Sequence, residues 1–98
     1  MKYKNNYIKP QENIKYDSLL KMPQWIRKRN EILKRDNHCC RSCGSKNTLQ
    51  VHHRQYHMNQ STGMMQVPWN YSDKLLITLC NSCHELGHRI YKIPTYKI

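Results

Sequence analysis

Two Cys-x-x-Cys knuckles constrain this chain more than any other feature: Cys40 with Cys43, and Cys80 with Cys83. Each pair sets two thiolates on one tight turn, a spacing that suits Zn–S bonds. Four such sulfurs close a tetrahedral zinc site that needs nothing from solvent. The stretch between the knuckles is longer than in a compact zinc ribbon, so a substantial insert hangs from the site. A staple of this kind answers a physical need. A 98-residue chain with 38% hydrophobic residues and no Phe has little apolar surface to bury, and a structural Zn2+ offsets the shortage. The fifth cysteine, Cys39, adjoins Cys40 but fits the two-residue gap to Cys43 less well, and it is read as a non-ligand. The odd cysteine count argues against a disulfide framework. So does the start of the chain, Met1-Lys2-Tyr3-Lys4-Asn5-Asn6, which lacks the apolar segment of a secretory signal and leads us to expect a reducing cytoplasm.

With the sulfurs committed to one metal, the histidines are left over. His52, His53 and His57 lie in the insert, and His84 and His88 follow Cys83. His52 and His53 are neighbours at the end of an alternating apolar–polar run, so their side chains point to opposite faces unless the strand ends there. Two directions suit two tasks, one holding a metal and one acting on a water. His84 and His88, spaced i and i+4, share one helix face, a common way to chelate a metal. The plainer alternative makes a histidine after a knuckle a surface residue, His88 above all.

Charge narrows the partner. A formal net charge of +11, from 17 Lys and Arg against 6 Asp and Glu, favours a polyanion. No apolar run is long enough to span a bilayer, and the positive charge is spread rather than massed beside an amphipathic helix, so no membrane partner is expected.

Residues 1–16, rich in Lys, Asn and Tyr, are expected as a flexible basic arm, and residues 17–98 as a single domain. Asp17-Ser18-Leu19-Leu20 is expected to form a helical turn. Pro23 then suits the opening of a helix that carries Trp25 to about Arg35, with Trp25, Ile26, Arg29, Ile32 and Leu33 on one face. Asp36-Asn37 breaks that helix. Leu49 to His52 reads as a strand, Arg54 to Asp73 as a long loop anchored by Trp69 and Tyr71, and Leu75 to Leu79 as a second strand. A second helix is expected from Asn81 or Ser82 to Tyr91, and Pro94 keeps it from running further.

These residues carry a family resemblance. The series Trp25, Arg29, Ile32-Leu33, Arg35-Asp36-Asn37, Cys40-x-x-Cys43-Gly44, Leu49-x-Val51-His52-His53, Pro68-Trp69-x-Tyr71-x-Asp73 and Leu76-Ile77-Thr78-Leu79-Cys80-x-x-Cys83-His84, then His88, closely resembles HNH endonucleases. It is similar to the zinc-knuckle branch common in bacteria and their phages, over about residues 16 to 92. The resemblance implies an α+β fold: a small zinc-stapled ββα-metal (HNH) domain with an N-terminal helix. It implies metal-dependent hydrolysis of DNA phosphodiester bonds, double-stranded DNA being the expected partner, inside a bacterial or phage-infected cell. His53 would be the general base. His52, His84 and His88 would hold a catalytic divalent metal, and Arg54, Lys74 and Arg89 would neutralise nearby phosphates. One position departs from the pattern: where the family places its middle Asn, this chain has Leu75, and Asn70 in the long loop is the candidate replacement.

The catalytic ion is expected among Zn2+, Mn2+, Ni2+ or Mg2+. An all-imidazole ligand set favours the transition metals over Mg2+, which prefers oxygen. The alternative function is a non-catalytic, zinc-stabilised nucleic-acid-binding module. A protein-interaction adaptor would need neither the charge nor the paired histidines.

Overall fold

The fold is built on a strand pair that begins and ends at the two knuckles. In the computed structural model, which describes residues 7–8 and 16–98, strand β1 is Tyr7–Ile8, helix α1 Tyr16–Leu19, helix α2 Pro23–Arg35 and strand β2 Leu49–His53. Strands β3 (Tyr56–Asn59) and β4 (Met64–Gln66) follow. A 3-10 turn at Asp73–Leu75 leads into β5 (Leu76–Cys80), helix α3 (Asn81–Ile90) and strand β6 (Thr95–Lys97).

Helix α2 opens on Pro23, whose missing N–H costs nothing at that position, and closes with Lys34 and Arg35 facing the negative end of the helix dipole. Asn37 (φ 57°) and His38 (φ 53°) then take left-handed conformations and turn the chain toward the first knuckle. Trp25, Ile32 and Leu33 are buried as expected, but Ile26 is 45% exposed. It lies along the same side as Leu33, two turns earlier and at the rim of the buried arc.

β2 and β5 pair antiparallel, Leu49 opposite Cys80 and His53 opposite Leu76. Along β5, Leu76, Thr78 and Cys80 are buried while Ile77 and Leu79 are only half buried. The chain passes from β5 into α3 without a loop. The first turn of α3 is tied back to β2 by a hydrogen bond from the Gln50 side-chain amide to Asn81 Oδ1 (2.9 Å).

The second sheet is where the sequence-based expectation fails. The stretch from Arg54 to Asp73, expected as a loop, contains β3 and β4, and the sheet order is β1-β4-β3-β6. Asn59 makes the β3–β4 turn by accepting the N–H groups of Ser61 and Thr62, and Gly63 supplies a positive φ of 70° there. β6, also unexpected, pairs parallel to β3, with Tyr56 opposite Thr95. Within the stretch expected as an arm, Tyr7–Ile8 pair with β4 and Tyr16 opens α1; its other residues lie outside the described ones. The second strand starts one residue later than expected, because Leu75 belongs to the 3-10 turn.

Trp25, Ile32, Tyr71 and Leu76 form the main core, with Val51, Tyr56, Trp69 and Leu75 packed against it. A smaller cluster joins Leu19 and Val67 to Met22, Met65 and Trp69. Trp69 touches both, so the anchors expected in the insert do link the two sheets. Among the described residues, no helix is long and apolar enough to cross a membrane.

Candidate functional site

The four knuckle sulfurs come together: the Sγ atoms of Cys40, Cys43, Cys80 and Cys83 all lie within 4.8 Å of one another, and Cys43 to Cys80 is 3.6 Å. Sulfurs held about 2.3 Å from a tetrahedral zinc stand about 3.8 Å apart, so the residues present fit the ion. Burial opposes ionisation of Cys40, but N–H groups of Cys43, Cys80 and Ser42 aimed at its sulfur outweigh it and lower its pKa to about 6. Cys83 has Ser42 to assist its ionisation, but three other cysteines crowd it and push its pKa up to about 12. Four thiols packed this closely cannot all ionise unless a cation replaces their protons. Cys39 stands outside the set, its Sγ donating to Asn37 O (3.2 Å).

Asp36 holds this centre to the strand pair. Its carboxylate accepts from Arg35 (2.8 and 3.0 Å), from Arg41 (2.9 Å) and from the backbone N–H of Thr78 in β5 (3.0 Å). Arg41, inside the knuckle, also donates its N–H to Thr78 O (2.9 Å). Sequence reasoning saw Asp36 as the end of a helix and as part of the family resemblance, with no partners assigned to its carboxylate; the Arg-Asp pair followed by a knuckle was the available signal.

A second cluster forms where α3 packs against β2. Ring nitrogens of His52, His84 and His88 lie within 4.8 Å of one another, and His84 Nε2 is 3.1 Å from His88 Nε2. The helix spacing brings the last two together; the β2–β5 ladder brings His52 to them, its ring centroid 4.9 Å from that of His84. Burial, then the positive charge that His84, His88, His53 and Arg54 can carry, lowers the His52 pKa to about 4. His84 is lowered too, by burial and then by His88. His52 is therefore neutral at pH 7, the form in which imidazole binds a metal, and three imidazoles this close together fit a divalent transition ion. His57 is not in this set: its Nε2 pairs with the Gln55 side-chain amide (2.7 Å).

His53 closes β2 and is only 5% exposed. Its ring stacks against Trp25 and Tyr56, with centroids 5.3 Å away in both cases, and Tyr71 meets it edge-on at 4.9 Å. Nε2 is 2.9 Å from Pro68 O. A carbonyl oxygen only accepts, so Nε2 carries the proton and Nδ1 keeps the basic lone pair. Burial lowers the His53 pKa, and the Pro68 carbonyl partly counteracts that. His52, His53, His84 and His88 all line one cavity of about 360 Å³, together with Trp25, Arg29 and Tyr56.

Of the residues expected to contact phosphate, Arg54 borders a neighbouring cavity that shares His52, while Lys74 and Arg89 are exposed and line neither. Arg29 is the cation inside the histidine cavity. Its signal was a charged residue set among Trp25, Ile32 and Leu33 on an otherwise apolar face. Asn70 is exposed and enters the structure through its main chain, donating its N–H to Val67 O (3.1 Å) and accepting the side-chain amide of Gln66 at its carbonyl. Comparisons with protein-family models, curated proteins and solved structures gave no match.

Proposed function

We propose that this protein is a metal-dependent endonuclease of the HNH type, with β2, β5 and α3 as its ββα-metal unit and the four-cysteine site as structural zinc. One observation carries the proposal: His53, with Nε2–H tethered to a backbone carbonyl, faces the same cavity as three clustered imidazoles. A tether at Nε2 leaves Nδ1 free to take a proton from a water. The water oxygen attacks phosphorus, its proton goes to Nδ1, and the bond to the leaving oxygen breaks. A divalent ion held by His52, His84 and His88 would supply Lewis-acid assistance to that displacement. Arg29 in the cavity, and the chain's net charge of +11, support a phosphodiester as the group received.

The second reading, a zinc-stabilised DNA-binding module without catalysis, draws support from the near-complete burial of His53 between aromatic rings. Plasmid nicking by protein that keeps its four-cysteine zinc but is freed of other metal, with Zn2+, Mn2+, Ni2+, Co2+ or Mg2+ added singly, separates the two. The expected outcome is cleavage with transition ions at least as fast as with Mg2+, lost in His53→Ala with DNA affinity retained. Equal nicking by His53→Ala, or activity with Mg2+ alone, defeats the corresponding part.

A further inference from the structure

Nothing in β2 itself holds the His53 ring in its tautomer; the Pro68 carbonyl does, and that carbonyl lies in a turn outside both strands. The turn runs from Val67 to Asn70, directly after β4. One main-chain hydrogen bond closes it, from Asn70 N–H to Val67 O (3.1 Å). A second clip comes from Gln66, the last residue of β4, whose side-chain amide donates to Asn70 O. Gln66 is buried, its backbone pairs with Tyr7 in β1, and the preceding Met65 pairs with Met58 in β3. Its side chain therefore ties the far end of the turn to a fixed strand, with the Pro68 carbonyl between the two attachment points.

Resting on the nuclease reading above, we propose that Gln66 is a positioning residue for His53: it fixes the Pro68 carbonyl, which in turn keeps the imidazole proton on Nε2 and the basic lone pair on Nδ1. The chemistry of the side chain fits the task. A carboxamide N–H donates to a carbonyl at any working pH, whereas an ionised carboxylate in the same place only accepts. Released at one end, the turn keeps one main-chain hydrogen bond and the packing of its buried Val67 and Pro68, and the carbonyl gains latitude to rotate. The ring then gains access to its other tautomer, in which the proton occupies the very nitrogen that must receive one.

The test uses the full chain, zinc-loaded, with Gln66→Met and Gln66→Glu. Met keeps the length of the side chain without a donor; Glu keeps its shape with the wrong polarity. Two quantities are measured: the 15N imidazole shifts of His53, assigned by their loss in His53→Ala, and kcat and KM for oligonucleotide cleavage. The wild type should give a single Nε2–H signature. Both variants should show a tautomer mixture and a kcat lower by roughly 10–100-fold, the usual effect of removing an outer-shell support, with KM unchanged within about twofold. An unchanged tautomer in an active variant of either kind overturns the bracing, as does a loss confined to KM. Absence of cleavage by the wild type with every metal overturns the nuclease reading and, with it, the catalytic part of this proposal, and it is seen before any variant is made.

Discussion

Replacing Asp36 should cost more than any other single change to a charged residue here, and its size follows from the hydrogen bonds. The carboxylate is completely buried, while the Arg35 and Arg41 side chains that grip it are 35% and 53% exposed. In Asp36→Ala the Thr78 N–H, at a residue with no exposed surface, loses its acceptor, a penalty of about 1–3 kcal/mol. The two guanidiniums recover water, so each adds no more than about 1 kcal/mol. The sum, about 3 kcal/mol, falls at the low end for breaking a buried ion pair. For a domain of this size that lowers Tm by roughly 15 °C. Burial raises the Asp36 pKa, but hydrogen bonds from Arg35, Arg41 and Thr78 outweigh it and hold the group well below the usual carboxylate range. A depressed pKa stabilises the fold fully above the unfolded value, about 3.9, and that stability drains away as pH falls through the folded value. The gap between wild type and Asp36→Ala in urea unfolding of zinc-saturated protein is therefore expected to be flat from about pH 5 to 8 and to narrow below about pH 4. A gap under about 1 kcal/mol, or one that widens on acidification, refutes this account of Asp36.

Two further outcomes follow from the sulfur cluster and from His53. Cys43 is exposed, so Cys43→Ala removes almost no packing; it should nevertheless abolish tight zinc binding at the sulfur site and most of the cooperative thermal transition, read by metal analysis and circular dichroism, because binding free energy at such a site is folding free energy. An unchanged melt after chelation would show that the sulfurs are not a structural staple. For pH, His53 must be neutral to accept a proton, and burial lowers its pKa, so kcat/KM should hold level from pH 8 to about 6.5 and fall only below that. An acid limb centred above 6.5 would rule out this histidine as the base.

How much of this was legible in the residues depends on how local each cause is. The turn at Tyr16–Leu19, α2 from Pro23, β2 and α3 follow from nearest-neighbour patterns: a proline opening a helix, alternation along Leu49 to His52, the i and i+4 histidines. β3, β4 and β6 were not legible for the opposite reason. Tyr56 to Asn59 and Met64 to Gln66 form a hairpin with each other, but both strands are very short and their outer partners lie far along the chain, at Thr95–Lys97 and Tyr7–Ile8. Their polar residues look like loop until those partners arrive. Arg29 was hidden differently. Its position on the core-facing side of α2 was read correctly, but a cation there has a use only if the core opens into a cavity, which no helical pattern reveals.

The sulfur cluster and the imidazole cluster are mechanically one object. Cys80 ends β5, and α3 starts at the next residue, so Cys83 and His84 are consecutive on its first turns. A zinc ion bound by Cys80 and Cys83 fixes that turn relative to the first knuckle, which Asp36 and Arg41 in turn lock to Thr78. The register of Leu49 with Cys80, and the bond from Gln50 to Asn81, carry the same constraint onto the strand that presents His52. His88 follows one helical turn after His84. Each imidazole of the cluster is thus positioned through atoms that the sulfur site already holds, so the sulfur site should set the geometry of the imidazoles without touching whatever they bind.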